Sequence, residues 1–127
     1  MKFFVDSDLL IWHLRGEAKA RDYLRHLRRR REGELWTGAM QRAEVVFFMR
    51  PAETDSTLLF LSQFKTAAVD QPIVDLASEL YQQWHPSHGT DINDAILAAT
   101  VIRAGGEIHG LNKRHYPMPQ IKAIKAW

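Results

Sequence analysis

The feature that most narrows the fold of this chain is its opening run, Lys2-Phe3-Phe4-Val5, followed at once by Asp6-Ser7-Asp8. Three consecutive apolar residues of aromatic and β-branched character are too few for a buried helix. They do not alternate with polar residues, as suits a central strand covered on both faces. A helical pattern (Leu9, Leu10, Trp12, His13) begins directly after the acid. A strand that ends in a carboxylate and passes straight into a helix puts that carboxylate at the carboxyl edge of a parallel sheet. Open α/β sheets bind their ligands there. Asp6 is therefore the first candidate functional residue.

The rest of the chain repeats the alternation. Ser7 or Asp8 is expected to cap a helix reaching Leu14, and Gly16 ends it. Glu17 to Arg31 reads as a second helix, with Ala18, Ala20, Tyr23, Leu24 and Leu27 on its apolar side. Leu35-Trp36-Thr37 is a short strand. Ala39 to Met49 follows as a helix, with Ala43, Val46, Phe47 and Met49 directed inward and Glu44 partly buried among apolar neighbours. Arg50-Pro51 ends it, and Thr54 or Asp55 starts another. Ala67 to Asp70 reads as a third strand, and Pro72 opens a helix through Tyr81. Ser87-His88-Gly89 reads as a loop. Ile92 to Ala104 forms a helix that is apolar nearly all round at Ala95-Ile96-Leu97-Ala98-Ala99, so it must lie deep in the core. Glu107 to Leu111 and Ile121 to Ile124 supply the last strands. The expected architecture is a three-layer α/β/α sandwich with a mostly parallel central sheet, in one domain spanning residues 1–127.

Several function classes drop out. There is no cysteine, hence no disulfide and no thiolate metal site. No apolar run is long enough to cross a membrane, and the start lacks the layout of a secretory signal, so a soluble cytoplasmic protein is expected. His13, His26, His85, His88, His109 and His115 show no zinc-like spacing. For His88 and His115 the expected roles are loop packing or a phosphate contact.

The remaining chemistry lies in acids and bases. Asp91 and Asp94 share the first turn of the buried helix. Service to the helix dipole explains Asp91 well and Asp94 less well, because five apolar residues follow Asp94. Asp6, Glu44 and Asp94 would suit Mg²⁺ or Mn²⁺ if the sheet edge gathers them, since hard cations take clustered oxygen ligands. Net charge is only +2, yet Lys19, Arg21, Arg25, Arg28, Arg29, Arg30 and Arg31 crowd one segment in which Asp22 is the only acid. That segment is either a solvated helix face or a surface for phosphates. Within it Arg25, Arg28 and Arg29 are the candidates to hold a phosphate backbone, which would be that of RNA if the resemblance described next holds.

Four stretches together resemble the PIN-domain ribonucleases, specifically the VapC-type toxins. They are Phe4-Val5-Asp6-Ser7-Asp8-Leu9-Leu10-Ile11, then Glu44 within Thr37 to Val45, then Ser87-His88-Gly89 with Asp94-Ala95-Ile96-Leu97-Ala98-Ala99-Thr100, and last Asn112-Lys113-Arg114-His115-Tyr116-Pro117. The last is similar to the family's Asn-x-x-His-Phe-Pro loop. The resemblance implies an endoribonuclease that cleaves RNA phosphodiester bonds with a metal-activated water. It implies Asp6, Glu44 and Asp94 as the acidic Mg²⁺ or Mn²⁺ site, with Asp91 as an extra ligand. Ser7, Thr37 and Asn112 would orient water or phosphate. A small antitoxin protein and a second copy of the chain are the implied partners, with no membrane. Two positions depart from the pattern: Asn112 and His115 stand where many members carry a fourth acid, and Gly110 replaces a Thr or Ser. The competing readings are a PIN-like nucleic-acid-binding or assembly module without activity, and a phosphoryl-accepting receiver domain. The receiver would want an acidic pair before the first helix and a late Lys that Lys113 is poorly placed to be.

Overall fold

The computed structural model describes residues 1–127. Five strands make one sheet: β1 (Lys2–Val5), β2 (Glu34–Gly38), β3 (Lys65–Ala67), β4 (Glu107–Gly110) and β5 (Lys122–Lys125). Their spatial order is β3-β2-β1-β4-β5, and every neighbouring pair is parallel. Six helices connect them: α1 (Ser7–Leu14), α2 (Ala18–Arg29), α3 (Ala39–Val46), α4 (Thr54–Leu61), α5 (Gln71–His88) and α6 (Ile92–Ala104).

The pleat of β1 explains the two-sided core. Phe3 and Val5 enter one apolar cluster with Leu9, Leu10, Leu24, Leu27, Leu35, Val45, Leu61 and Phe64, under α1 to α4. Phe4 points the other way, into a cluster with Ile73, Leu80, Leu97, Ala98, Val101 and Ile108, under α5 and α6. Phe3, Phe4 and Val5 are wholly buried, and each contributes ~1.5–3 kcal/mol by leaving water. The alternation of sides makes an unbroken apolar run compatible with two separate cores.

The strand order places the site. From β1 the chain steps outward to β2 and β3, then returns to the other side of β1 for β4 and β5. The order reverses between β1 and β4. At such a switch point the connections leave in opposite directions and open a crevice at the carboxyl ends of the strands. Asp6 follows the last residue of β1 and is 7% exposed.

Several boundaries differ from expectation. The third strand is Lys65–Ala67, because an edge strand with Lys65 and Thr66 exposed carries no apolar signature. Asp70 instead caps α5, accepting from the Ile73 amide at 3.1 Å. Helix α5 continues through Pro86 to His88, absorbing the expected loop, and Gly89 ends it in the left-handed region (φ 68°). Proline removes one amide donor, and in this last exposed turn water replaces it at little cost. Helix α3 stops at Val46, which leaves Phe47 80% exposed where burial was expected. The last strand begins at Lys122, one residue late. Helix α1 is capped by Asp6 itself, whose Oδ1 accepts from the Ser7 amide at 2.8 Å. No helix is long and apolar enough to cross a membrane.

Candidate active site

Two buried acids meet at the switch point. Asp6 comes from the end of β1 and Asp94 from the first turn of α6. Between them stands the hydroxyl of Tyr116, 2.6 Å from Asp6 Oδ2 and 3.1 Å from Asp94 Oδ1. One phenolic proton shared between two carboxylates leaves the pair short of compensation, which favours the protonated form of an acid when no cation is near. Burial pushes the Asp6 carboxyl up to about 7, and the charge of Asp8 pushes it the same way. Burial likewise raises Asp94 to about 6. Tyr116 is pushed well above its ordinary value by burial and by the two acids it faces.

Helix α6 fixes Asp94 in place. Asp91 Oδ1 accepts from the Asp94 amide at 2.7 Å, and Asp94 Oδ2 accepts from the Asp91 amide at 3.1 Å, closing a capping box. His115 Nδ1 stands 3.0 Å from the same Oδ2. Asn112 Nδ2 lies 3.2 Å from His115 Nε2, so the ring is held between Asn112 and Asp94. Asp91 therefore acts here as a cap, exposed and outside the bridge formed by Tyr116.

Glu44 is close but turned. Its Oε2 accepts from Ser7 Oγ at 2.9 Å and its Oε1 accepts from Asn93 Nδ2 at 3.0 Å. Ser7 joins it to Asp6 through the chain, and Asn93 joins it to Asp94. Nowhere do three or more acidic or imidazole side chains close around one point as a ready metal cage. The expected triad is thus one tight pair, Asp6 and Asp94, with Glu44 alongside.

Other expected site residues fall elsewhere. Thr37 is fully buried and donates to the Val5 carbonyl at 2.8 Å. It ties β2 to the end of β1, directly before Asp6. Asn112 is exposed beside His115. The arginine helix lies at the wrong end: Arg28 donates to Gln63 Oε1 just before β3, and the Arg30 guanidinium stacks 4.5 Å from the Phe3 ring at the start of β1. Arg25 lines a hollow with Leu35 and Phe64, also at the strand starts. The end of α2 therefore flanks the amino edge of the sheet, opposite Asp6. Arg25, Arg28 and Arg29 are not brought to the acids.

Two residues beside the acids escape a reading of the sequence. Tyr116 carries a signal, since its hydroxyl is an extra polar group where the similar loop pattern has Phe, and a buried hydroxyl needs a partner. Asp8 signals only a cap. In the fold its Oδ1 accepts from the Leu9 amide and its Oδ2 from the Leu111 amide at 2.9 Å, and burial raises its carboxyl. Gly110 explains how it fits: a Cβ there would stand 3.1 Å from Asp6 Cβ and 3.3 Å from Asp8 Oδ1. The missing side chain leaves room for a further acid beside Asp6.

Residues 3–114 match the family model described as PIN domain. The chain belongs to the PIN-domain family. This PIN domain is 33% identical over 115 residues to ribonuclease VapC10 of Mycobacterium tuberculosis, covering 90% of this chain and 85% of that protein. Its fold is similar to a chain of a toxin–antitoxin complex from Klebsiella pneumoniae, with a TM-score of 0.78 at 20% identity over 98% of this chain and 97% of that one. It is also similar to a chain of VapBC2 from Rickettsia felis bound to a promoter DNA fragment, with a TM-score of 0.78 at 15% identity, covering 100% of this chain and 99% of that one.

Proposed function

We propose that this PIN domain is a metal-dependent endoribonuclease, the toxin of a toxin–antitoxin pair, formed by residues 1–127 as one nuclease domain and working in the cytoplasm. The observation that carries the reading is the Asp6–Tyr116–Asp94 bridge at the ligand-binding edge of the sheet. Two carboxylates are buried side by side there, and neither has a Lys or Arg ion-pair partner. Such a pair is costly unless protons or a cation neutralise it. The likeness to ribonuclease VapC10 supports the choice of RNA as substrate.

The donor set fits Mg²⁺ or Mn²⁺. Such a cation takes oxygen ligands in octahedral geometry and is typically held by one or two carboxylates, with water and substrate phosphate completing the set. Asp6 and Asp94 would hold it, and Glu44 would face it across Ser7, consistent with the open arrangement of the acids. When bound, the cation supplies Lewis-acid polarisation of the phosphate and offsets the charge that builds during cleavage. The chain's own residues do the positioning. Tyr116 keeps Asp6 and Asp94 at a fixed separation, His115 and the Asp91 amide orient Asp94, and Ser7 with Asn93 orients Glu44.

The antitoxin partner has a surface that fits it. Ile11, Leu14, Val45, Phe48 and Met49 line a hollow that Glu44 borders. Phe47 and Phe48 are 80% and 85% exposed beside it, and clustered exposed aromatics of this kind mark partner surfaces. A protein segment docked there would cover the site from the Glu44 side. Homodimerisation completes the reading and rests on the family resemblance.

The decisive comparison is wild type against Asp6→Asn. Wild type is expected to bind Mn²⁺ in calorimetry and to cut RNA; the variant should lose binding and drop at least 100-fold in cleavage. Asparagine keeps the cap on Ser7 and donates to Tyr116, so the metal-free variant should melt at a higher temperature than metal-free wild type at pH 8. Unchanged Mn²⁺ affinity in Asp6→Asn would remove Asp6 from the ligand set. Wild type that binds RNA and metal yet never cuts would favour the inactive nucleic-acid-binding module.

A further inference from the structure

The ribonuclease reading raises a problem of approach. Asp6, Asp8, Glu44, Asp91 and Asp94 all lie at the carboxyl edge, and RNA is a polyanion. Exposed charges farther apart than about 8 Å are largely screened at physiological salt. The basic end of α2 flanks the other edge, beyond β1, whose four residues alone span about 13 Å. Those arginines are too far away to hold a strand over the acids.

Another set of bases is closer. The short 3-10 turn Lys113–His115 follows β4 and carries three consecutive basic residues at the rim of the site. Its third member, His115, touches Asp94, while Lys113 and Arg114 are exposed. Neither Lys113 nor Arg114 has an acidic partner; Arg114 Nη2 donates at 3.1 Å to the carbonyl of Ser87, a neutral group that anchors the side chain and leaves its charge unbalanced. Thr90 Oγ1 donates to the His115 carbonyl at 2.8 Å, pinning the turn against the start of α6. The two cations therefore sit on backbone fixed to the same helix turn as Asp94.

Beside them an open groove of about 620 Å³ runs between His88, Lys113, Arg114, Tyr116, Pro117 and Ile121. No acid lines it. His88 packs its ring edge-on to Trp84 at 5.5 Å. Tyr116 is shared: one side of its ring walls the groove, and its hydroxyl bridges the two carboxylates. A strand lying in this groove has its phosphates against Lys113 and Arg114, the immediate chain neighbours of His115, whose ring touches Asp94.

We infer that the groove along Lys113, Arg114 and His88 is the surface that holds the RNA backbone next to the cleavage site, in place of the arginine helix α2. The inference rests on the ribonuclease reading for the nature of the strand. Its recognition is electrostatic and indifferent to sequence, since phosphate contacts position a strand without reading it.

The test compares wild type, the double variant Lys113→Ala/Arg114→Ala and the double variant Arg28→Ala/Arg29→Ala on a fluorescein-labelled single-stranded RNA, over a range of salt concentrations. The rim variant should raise KM about 10-fold with kcat, Mn²⁺ affinity and melting temperature unchanged. The slope of log affinity against log salt should fall by about 1.4, since each lost phosphate contact on a single strand removes about 0.7. The α2 variant should match wild type. An unchanged KM and slope in the rim variant, or a loss confined to the α2 variant, would overturn the inference. If wild type cuts no RNA, the ribonuclease reading fails separately, and anisotropy of the same uncut RNA on the three proteins still decides which surface binds it.

Discussion

The two edges of the sheet each bury an acid, and they treat it in opposite ways. At the amino edge Glu107 is 3% exposed and surrounded by positive or proton-donating groups. His109 Nε2 lies 2.9 Å away, Lys122 Nζ 3.5 Å and Arg30 Nη1 3.6 Å, and Tyr23 closes the far side by bonding His109 Nδ1 at 2.6 Å. At the carboxyl edge Asp6 has a neutral phenol and, as its nearest charges, the like charges of Asp8 and Asp94. The first cluster is electrostatically complete and holds α2 to the sheet. The second is short of positive charge. Burial of an acid is therefore not by itself a mark of function; a deficit of counter-charge at a ligand-binding edge is the more telling sign.

The sharpest way to break the contrast is to neutralise one acid at each edge. Asp94→Asn should lower RNA cleavage at least 100-fold while leaving the fold intact, because the asparagine still accepts from the Asp91 amide. A variant with near-normal turnover would place the reaction elsewhere.

Titration should separate the edges next. Asp6 holds its proton up to about pH 7 when folded and to 3.8 ordinarily. The folded chain therefore binds more protons than the unfolded chain across that window, and metal-free stability should fall as pH rises from about 4 to about 7, then level off. Every tenfold difference in proton affinity between the folded and unfolded chain is worth about 1.4 kcal/mol, which makes the whole effect a few kcal/mol. Saturating Mg²⁺ should remove the decline, since the cation favours the ionised acids. Chemical denaturation from pH 4 to pH 9 with and without Mg²⁺ measures this. A flat metal-free profile would show that the carboxyl edge is as well compensated as the amino edge.

Glu107→Gln should act only on stability. Removing that charge leaves Arg30 and Lys122, which are 31% and 73% exposed and can return to water, so the expected loss is about 1–3 kcal/mol. Mn²⁺ affinity should be untouched. A change in affinity would mean that the two edges communicate through β4.

Asp91→Asn should have the smallest effect. Asparagine caps a helix nearly as well as aspartate, so only the interaction with the helix dipole is lost, about 0.3–1 kcal/mol in denaturant titration. A loss of cleavage equal to that of Asp94→Asn would make Asp91 a ligand.

What the sequence revealed follows from what each residue's neighbours could announce. Phe3-Phe4-Val5-Asp6 carried its whole message locally: a two-sided apolar run, then an acid, then a helix. Asp94 was legible because five apolar residues follow it. Lys65 and Thr66 hid an edge strand, since neither of their faces is buried. The arginines of α2 showed a basic face correctly and said nothing about which edge of the sheet it borders, because that depends on the helix's course across the layer. Tyr116 showed only as one hydroxyl too many, and its partners lie 110 and 22 positions away.

That last separation has a consequence for how the protein comes into being. Tyr116 joins Asp6 across nearly the whole chain, and β4, which flanks β1 at the site, forms from residues 107–110. A chain made from its amino end can fold α1 to α4 around β1 and β2 long before those residues exist. Such a partial fold exposes Asp6 and Glu44 without Asp94 or the phenol between the acids. The site thus completes only once Asp94 and Tyr116 have joined the sheet, through contacts that are distant in the chain and therefore slow to form.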